Sequence, residues 1–238
     1  MEEQLWGACS DGNVEEARQL LQNEQININW QNQNETPFYI ACVFFGHINI
    51  VKLLLNDERV DINKADNDGE TPFWIACSAG QIEIVRLLLN DNNRTDVNKP
   101  DNDGETPFYI ACQEGQIEIV KLLLESGREI DLNQANNDGC TPFFIVCGNG
   151  HIEIVKLLLN DNRVDVNKAS NSGETPFWIA CQQGHIEIVK LLLNDERVDI
   201  NKGNEKNQTP FYCACFFGHI NIVKLLLNDE RVDINKAD

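Results

Sequence analysis

The stretch that decides the fold runs Asn67-Asp68-Gly69-Glu70-Thr71-Pro72-Phe73-Trp74-Ile75-Ala76-Cys77-Ser78-Ala79-Gly80. Variants of it return along the chain, and the Thr-Pro-Phe at its centre begins at Thr36, Thr71, Thr106, Thr141, Thr175 and Thr209. Successive threonines are 35, 35, 35, 34 and 34 residues apart. A period of this size is typical of a solenoid, in which each supersecondary unit packs on its neighbours.

One repeat contains the signals for two short helices. Thr71 is an N-cap residue, and Pro72 stands at the first helical position, where its missing N–H costs nothing. The first helix is predicted from Phe73 to Ala79, and Gly80 ends it as a residue free to take a left-handed conformation. A second helix follows, and its apolar face is predicted to comprise Ile82, Val85, Leu88 and Leu89.

The repeated motif resembles the ankyrin repeat, whose signature is Thr-Pro-Leu-His-x-Ala. Here it reads Thr-Pro-Phe-(Tyr/Trp/Phe)-Ile-Ala in most copies, followed by Gly-(His/Gln)-Ile-(Glu/Asn)-Ile-Val-(Lys/Arg)-Leu-Leu-Leu. The resemblance implies an all-α ankyrin-repeat solenoid of about seven helix-turn-helix units, with short hairpin-like turns between them. The signature histidine is replaced by an aromatic residue, which we expect to substitute packing area for the lost hydrogen bond. These aromatic residues are Tyr39, Trp74, Tyr109, Phe144, Trp178 and Tyr212.

We expect a single domain over 1–238. It divides into an N-terminal capping repeat, 1–30, and further repeats at 31–65, 66–100, 101–135, 136–169, 170–203 and 204–238. The capping prediction rests on Glu16 and Gln19, which stand where other repeats have Ile and Leu and suit an uncovered helix. On this basis Met1 is expected to be the true start. The last repeat keeps its apolar pattern, so the array is expected to continue or to be truncated after 238.

The charge narrows the class of partner. Against 19 basic residues the chain has 38 acidic ones, a formal net charge of −19. This excludes affinity for a nucleic-acid backbone or an anionic membrane surface, both of which need clustered Lys and Arg. The chain also lacks an apolar run long enough to span a membrane. We expect a monomer that binds a protein or peptide. The acidic residues permit a basic partner, and the alternative is that they only maintain solubility.

The nine cysteines favour a reducing compartment. Seven occupy one position of the repeat, and equivalent positions in adjacent repeats lie too far apart for disulfides. They are expected to be small buried residues in a cytoplasmic or nuclear protein. The seven are Cys9, Cys42, Cys77, Cys112, Cys147, Cys181 and Cys215. Cys213 replaces an isoleucine and is predicted to lie in the core, whereas Cys140 lies in an exposed turn and should react first with a thiol reagent.

No constellation of residues predicts catalysis. The four histidines share one repeat position that Gln81 and Gln116 fill elsewhere, which indicates a hydrogen-bonding residue at the start of the second helix. No phosphate loop, metal-ligand cluster or nucleophile beside a base is recognisable, so neither an enzyme nor a cofactor is expected. A recurring asparagine ends each inter-helix segment, at Asn29, Asn63, Asn98, Asn133, Asn167, Asn201 and Asn235. We expect these side chains to stabilise turns by bonding to the backbone.

The resemblance also implies where a partner would bind: the hairpin tips and the exposed side of the first helices form a concave surface in that family. The predicted contact residues are Phe44, Asp68, Glu70, Asn102, Asp103, Glu105, Gln113, Glu114, Asn137, Asp138, Asn149, Gln182, Gln183, Phe216 and Phe217. The phenylalanines, with Phe45, are either anchors for a partner or packing residues of the array.

The leading functional hypothesis is a protein–protein interaction scaffold. One alternative is a regulatory ankyrin segment of a larger enzyme or channel. Another is an engineered or consensus-like repeat array without a natural partner, and recent duplication is the alternative explanation of near-duplicate segments such as 56–64 and 194–202.

Overall fold

A computed structural model describes residues 1–44, 46–91 and 94–235, and within them the chain forms fourteen α-helices and no strand. The helices are α1 Glu2–Ser10, α2 Val14–Leu21, α3 Pro37–Val43, α4 Ile48–Leu55, α5 Pro72–Ser78, α6 Ile82–Leu89, α7 Pro107–Gln113, α8 Ile117–Glu125, α9 Pro142–Asn149, α10 Ile152–Leu159, α11 Pro176–Gln183, α12 Ile186–Leu193, α13 Pro210–Phe216 and α14 Ile220–Leu227. They make seven helix-turn-helix pairs, so the predicted all-α repeat fold is confirmed.

The chain divides into two compact units. The first comprises Met1–Ala111 and Glu118–Ile130, and the second comprises Cys112–Ile117 and Asp131–Asp238. In the first unit α1 packs on α3, α3 on α5, α2 on α4 and α4 on α6. In the second unit α9, α11 and α13 pack in succession, and so do α10, α12 and α14. Each unit is thus a two-layer stack, with first helices in one layer and second helices in the other.

The start of each first helix follows the capping prediction. The Thr71 hydroxyl accepts a hydrogen bond of 3.1 Å from the backbone N–H of Trp74, and Thr71 itself is fully buried. Pro72 is the first helical residue. Gly80 follows α5 with φ +74°, a left-handed value that costs glycine little. The same threonine cap begins α3, α7, α9, α11 and α13.

The apolar face of the second helix differs at one residue from the prediction. Val85, Leu88 and Leu89 are buried as expected, but Ile82 is 36 % exposed and Ile84 is buried instead. The buried stripe therefore begins one half-turn later, because Ile82 lies at the helix start, beyond the cover of α4.

The longer turn after α3 distorts the end of that helix. α3 stops at Val43, and Phe44 takes an extended conformation with φ −92° and ψ 139° where the helix would continue. Gly46 then takes a left-handed φ of +91°. Phe44 is exposed, while Phe45, predicted as its neighbour on the surface, lies outside the described residues.

The first repeat has the predicted polar outer face, with Glu16 and Gln19 exposed on α2. At the other end, the prediction that all seven periodic cysteines are buried is wrong for Cys215. Six of the seven are buried and Cys215 is exposed, because no described helix packs on its side of α13. Cys213, which faces the preceding repeat, is buried as predicted.

Candidate partner-binding surface

The recurring asparagines link one repeat to the next. In the first unit the Asn29 amide donates to the Arg59 carbonyl at 2.8 Å, and its oxygen accepts from the backbone N–H of Asp61 at 2.8 Å. In the second unit Asn167 makes the same pair of bonds, to the Arg197 carbonyl at 2.6 Å and from the Asp199 N–H at 2.8 Å. The predicted bond to backbone is confirmed, but the partner is the following repeat and not the local turn.

The histidine position is structural too. His151 Nε2 lies 2.9 Å from the Gln113 carbonyl oxygen, and His185 Nε2 lies 2.8 Å from that of Gly148. Gln81 places its amide nitrogen 2.9 Å from the Val43 carbonyl and so makes the equivalent bond. These side chains bond to carbonyl groups at the end of the first helix of the preceding repeat. Carbonyls at a helix end have no hydrogen-bond partner within the helix.

In several repeats an arginine that follows the second helix caps the second helix of the preceding repeat. Arg197 donates to the Leu159 carbonyl at 2.7 Å and is held by Asp195 at 2.6 Å. This hydrogen bond lowers the pKa of Asp195. Arg231 repeats the arrangement on Leu193 at 2.7 Å. A cation at the carbonyl end of a helix is favourable, so these charges serve the fold.

Of the six aromatic residues that replace the signature histidine, five are buried and Tyr212 is half-buried, and several also form hydrogen bonds. The Trp74 indole donates to the Glu105 carbonyl at 2.8 Å, and the Trp178 indole donates to the Gln208 carbonyl at 2.8 Å. The Tyr39 hydroxyl donates to the Glu70 carboxylate at 3.0 Å. Packing area was predicted at this position, but the polar link to the turn of the following repeat was not.

The segments that precede each Thr-Pro are the connecting turns, and they bond to one another. In the first unit the Asn102 N–H donates to the Asp68 carbonyl at 2.9 Å, and the Asn102 amide donates to the Asn67 carbonyl at 2.8 Å. Asn102 is therefore mainly structural. Asp68 and Asp103 are exposed, and within the described residues neither carboxylate forms an ion pair with a Lys or Arg. These two side chains are free for a partner.

The acidic side chains beneath these turns are half-buried, and their pKa values reflect this. Burial raises the pKa of Glu70, with nearby Asp66, Asp101 and Asp68 adding to the effect and the Tyr39 hydrogen bond opposing it. Burial also raises the pKa of Asp101. In the turns of the first unit, burial and neighbouring negative charges therefore disfavour ionisation of these carboxyl groups. A bound cation would favour the ionised form.

In the second unit the same turns are less charged. Asn171 donates from its backbone to the Asp138 carbonyl at 2.9 Å and from its side chain to the Asn137 carbonyl at 2.9 Å. The side chains of Asn137 and Asp138 point to the surface, and both residues are exposed. The acidity is therefore concentrated in the turns of the first unit.

The predicted contact residues on the first helices also serve two roles. Asn149 donates to the Gln113 carbonyl at 3.2 Å, which ties its side chain to the preceding repeat. Glu114 and Gln183 are exposed. Phe216 and Phe217 are 70 % and 50 % exposed and contact each other edge to face at 5.1 Å. Both side chains are thus largely exposed within the described residues.

A groove of about 350 Å³ lies between the last two repeats of the second unit. Its walls are Ser172, Glu174, Trp178, Gln182, Asn204, Glu205, Lys206, Gln208, Tyr212, Cys213, Phe216 and Phe217. It brings together connecting turns and first helices, as the resemblance implied. Of the predicted contact residues it includes Gln182, Phe216 and Phe217, and the other twelve lie outside it.

Glu174, which the sequence places at a hairpin tip, lines the groove, and so do Tyr212 and Cys213, which were not predicted to contact a partner. A signal was present for Cys213, because the equivalent residue is isoleucine in the five preceding copies of the motif. A smaller side chain leaves space that the larger one fills.

Within residues 1–44, 46–91 and 94–235, no group of three or more His, Cys, Asp or Glu side chains is arranged to hold a metal ion. In the same part of the chain no helix combines the length and the apolar character that crossing a membrane requires.

Sequence comparison defines the class. A family model described as ankyrin repeats (3 copies) matches residues 3–66, 58–136 and 144–238, and a second, ankyrin repeats (many copies), matches residues 114–159. The chain belongs to the ankyrin repeat family. Proteins of this family are in general modules for protein–protein interaction. No curated protein matches the chain.

Proposed function

We propose that this chain is a non-enzymatic scaffold that binds a protein or peptide through the side chains of its connecting turns and the adjoining ends of its first helices. We name these residues the tip surface of each unit: it comprises that unit's predicted contact residues and, in the second unit, also Glu174, Tyr212 and Cys213. The nine free thiols support a cytosolic or nuclear location for a monomeric protein.

One observation carries the proposal: several recurring polar side chains are occupied by contacts between repeats, whereas the carboxylates of Asp68 and Asp103 in the turns form no such contact within the described residues. Asn167, His185 and Arg197 each bond to a neighbouring repeat. Asp68 and Asp103 stand at equivalent turn positions and project into solvent. Because the repeated residues hold the repeats together, the turn residues are left to determine specificity.

The second helices offer a poorer surface for recognition. Their exposed side carries complementary pairs such as Glu153 with Lys156 at 2.6 Å and Glu187 with Lys190 at 2.7 Å. Exposed pairs at this spacing neutralise each other and contribute little. The carboxylates of Asp68 and Asp103, which form no ion pair within the described residues, instead favour a basic partner.

A selection experiment tests the proposal. Binders are isolated from a random peptide library against the whole chain, and their affinities are measured by calorimetry for wild type and for the double variant Asp68→Asn/Asp103→Asn. The double variant removes two charges and keeps the shape of both side chains. The matched control is Glu58→Gln/Glu83→Gln, which removes the same charge from exposed residues outside the tip surface.

We expect Lys- or Arg-rich peptides whose affinity falls about ten-fold in the turn variant and less than two-fold in the control. Raising the salt concentration should reduce the difference, because exposed charges are screened. Equal losses in both variants would show a non-specific charge effect and contradict the proposal, as would peptides that bind wild type and both variants alike.

A further inference from the structure

The groove between the last two repeats of the second unit contains a carboxylate without a partner. Glu174 is half-buried, and within the described residues no hydrogen bond or ion pair reaches its side chain. Burial raises its pKa, and only Lys206 opposes this from a distance. An unpaired carboxylate removed from solvent is unfavourable unless a cation joins it.

The sequence explains why Glu174 lacks a partner. In the first unit the equivalent Glu70 accepts a hydrogen bond from the Tyr39 hydroxyl. The residue equivalent to Tyr39 in the repeat before Glu174 is Phe144, which has no hydroxyl to donate. The turn keeps its acidic residue but loses the group that satisfies it.

The groove itself results from a second local change. Cys213 lines it at a position that holds isoleucine in five other copies of the motif, and Ile179 at the preceding copy is nearly fully buried. The smaller cysteine side chain leaves room beside α11. Two independent substitutions thus coincide, one that opens the groove and one that leaves a carboxylate in it.

The opposite wall is aromatic. The rings of Tyr212 and Phe216 lie nearly parallel, 5.9 Å apart with an angle of 16° between their planes. Phe216 is 70 % exposed, so a face of its ring is open to a ligand. A flat cation stacks favourably on such a ring, and arginine does so while its guanidinium bonds a carboxylate with two parallel N–H groups.

The charges lining the groove are Glu174, Glu205 and Lys206, which leave one negative charge in excess. The side chains of Asn204 and Gln208 bond each other at 3.1 Å, whereas the amide of Gln182 can bond the backbone of an extended chain. We propose that this groove binds an arginine side chain of a protein partner, with its guanidinium paired to Glu174 and stacked on Phe216. The proposal rests on the proposed function, since it assigns the chemistry of one part of the partner.

The test uses the whole chain and N-acetyl-L-arginine amide as the probe, followed through the indole N–H signals in nitrogen-15 NMR. The chain has four tryptophans, and Trp178 lines the groove. Trp74 occupies the same repeat position in the first unit and serves as an internal control. Replacement of each by phenylalanine assigns its signal.

We expect saturable movement of the Trp178 signal with a dissociation constant in the millimolar range, and no movement of the Trp74 signal. Glu174→Gln should weaken the affinity about five-fold, as loss of one partly screened ion pair does. N-acetyl-L-citrulline amide, which has a similar shape without the charge, should leave the signal in place, and the lysine analogue should bind more weakly than arginine. Glu187→Gln removes an equal charge from the exposed side of α12 and should change nothing.

Cys213→Ile tests the groove separately, because it fills the space with the residue that the other repeats carry. We expect it to abolish the Trp178 response while circular dichroism remains unchanged. If this variant failed to fold, Glu174→Gln would still decide the outcome. A Trp178 signal that stays in place with arginine, moves equally with citrulline, or is unaffected by Glu174→Gln would overturn the proposal.

Failure here and failure of the proposed function are distinguishable. Selected peptides that bind through the connecting turns while arginine leaves Trp178 unmoved would retain the scaffold function and overturn the arginine site alone.

Discussion

The indole nitrogen of Trp178 donates a hydrogen bond of 2.8 Å to the carbonyl oxygen of Gln208, in the connecting turn of the next repeat. The same bond joins Trp74 to Glu105 at 2.8 Å in the first unit. An aromatic residue in place of the family's histidine therefore adds a directional link between repeats to the area that it buries. It also fixes the turn that forms one wall of the groove.

The effect of the Trp178 indole on the free energy of unfolding can therefore be divided into a hydrogen-bond part and a packing part. Trp178→Phe keeps most of the buried area and removes only the donor, so it should lower the free energy of unfolding by about 1 kcal/mol. Trp178→Ala also removes the packing and should cost about 3–5 kcal/mol. Urea denaturation followed by circular dichroism measures both, and a phenylalanine variant as unstable as the alanine variant would show that the hydrogen bond dominates instead.

The recurring asparagines that bond one repeat to the next, which we call the asparagine ladder, should contribute to the free energy of unfolding although they lie outside the core. Asn167→Ala removes bonds to Arg197 and Asp199, and we expect a loss of about 1–2 kcal/mol because two backbone groups of the next repeat lose their partner. Asn160→Ala is the matched control, since this exposed asparagine follows α10 and its side chain makes no bond between repeats. The two variants should differ clearly in their urea midpoints, and equal midpoints would contradict a structural role for the ladder.

Much of this arrangement could be predicted from the sequence, because it follows from local rules. The threonine cap at Thr71 and the glycine at Gly80 depend on neighbouring residues in the chain, and the exposure of Glu16 follows from its polar character. The partners of Asn167 and His185 could not be predicted, since each lies in another repeat and depends on how two repeats stack. The burial of Cys215 was mispredicted for the same reason: it depends on a following helix pair that the described chain does not provide.

Comparing the repeats position by position could not predict the groove, because the groove depends on two substitutions in different repeats. Phe144 in place of tyrosine and Cys213 in place of isoleucine are each unremarkable in a list of repeats. Only the fold shows that the second opens a space beside a carboxylate that the first leaves unsatisfied. The acidic turns of the first unit could be predicted from the sequence. The hydrogen bond that joins the Asn102 side chain to the neighbouring turn could not.

The cysteines provide a test of the burial pattern. In the native protein we expect a thiol reagent to modify Cys215 and Cys140 quickly, since the first is exposed and the second half-buried. Burial raises the pKa of Cys9 and of Cys213 to about 12, so these thiols should react only when the chain unfolds. Mass spectrometry of the labelled peptides against time measures this, and uniform labelling of all nine would contradict the fold.

Glu70 predicts a pH dependence of stability. Its pKa is raised above the ordinary 4.5, so the folded chain holds this proton more tightly than the unfolded chain does. The resulting stabilisation is complete below the ordinary value and is lost as the pH rises through the raised, folded value. Glu70→Gln cannot ionise and still accepts the Tyr39 hydrogen bond, so at neutral pH it should melt at a higher temperature than wild type.

The difference in melting temperature between Glu70→Gln and wild type should shrink as the pH falls to about 4, because both proteins then become uncharged at this position. Glu83→Gln, a change of the same charge on the exposed side of α6, serves as the control. A gap between wild type and Glu70→Gln that stays constant with pH would show that burial of the carboxylate does not affect stability.

The most direct measurement of the central claim is a hydrogen-exchange footprint of the chain with and without a peptide selected for binding. If the tip surface binds the partner, protection should appear in the connecting turns around 66–70, 101–105, 136–140, 170–174 or 204–208 and in the first-helix ends beside them. The second helices, such as α6 and α12, should exchange at unchanged rates. Protection confined to the second helices would contradict the account and place recognition on the opposite side of each repeat.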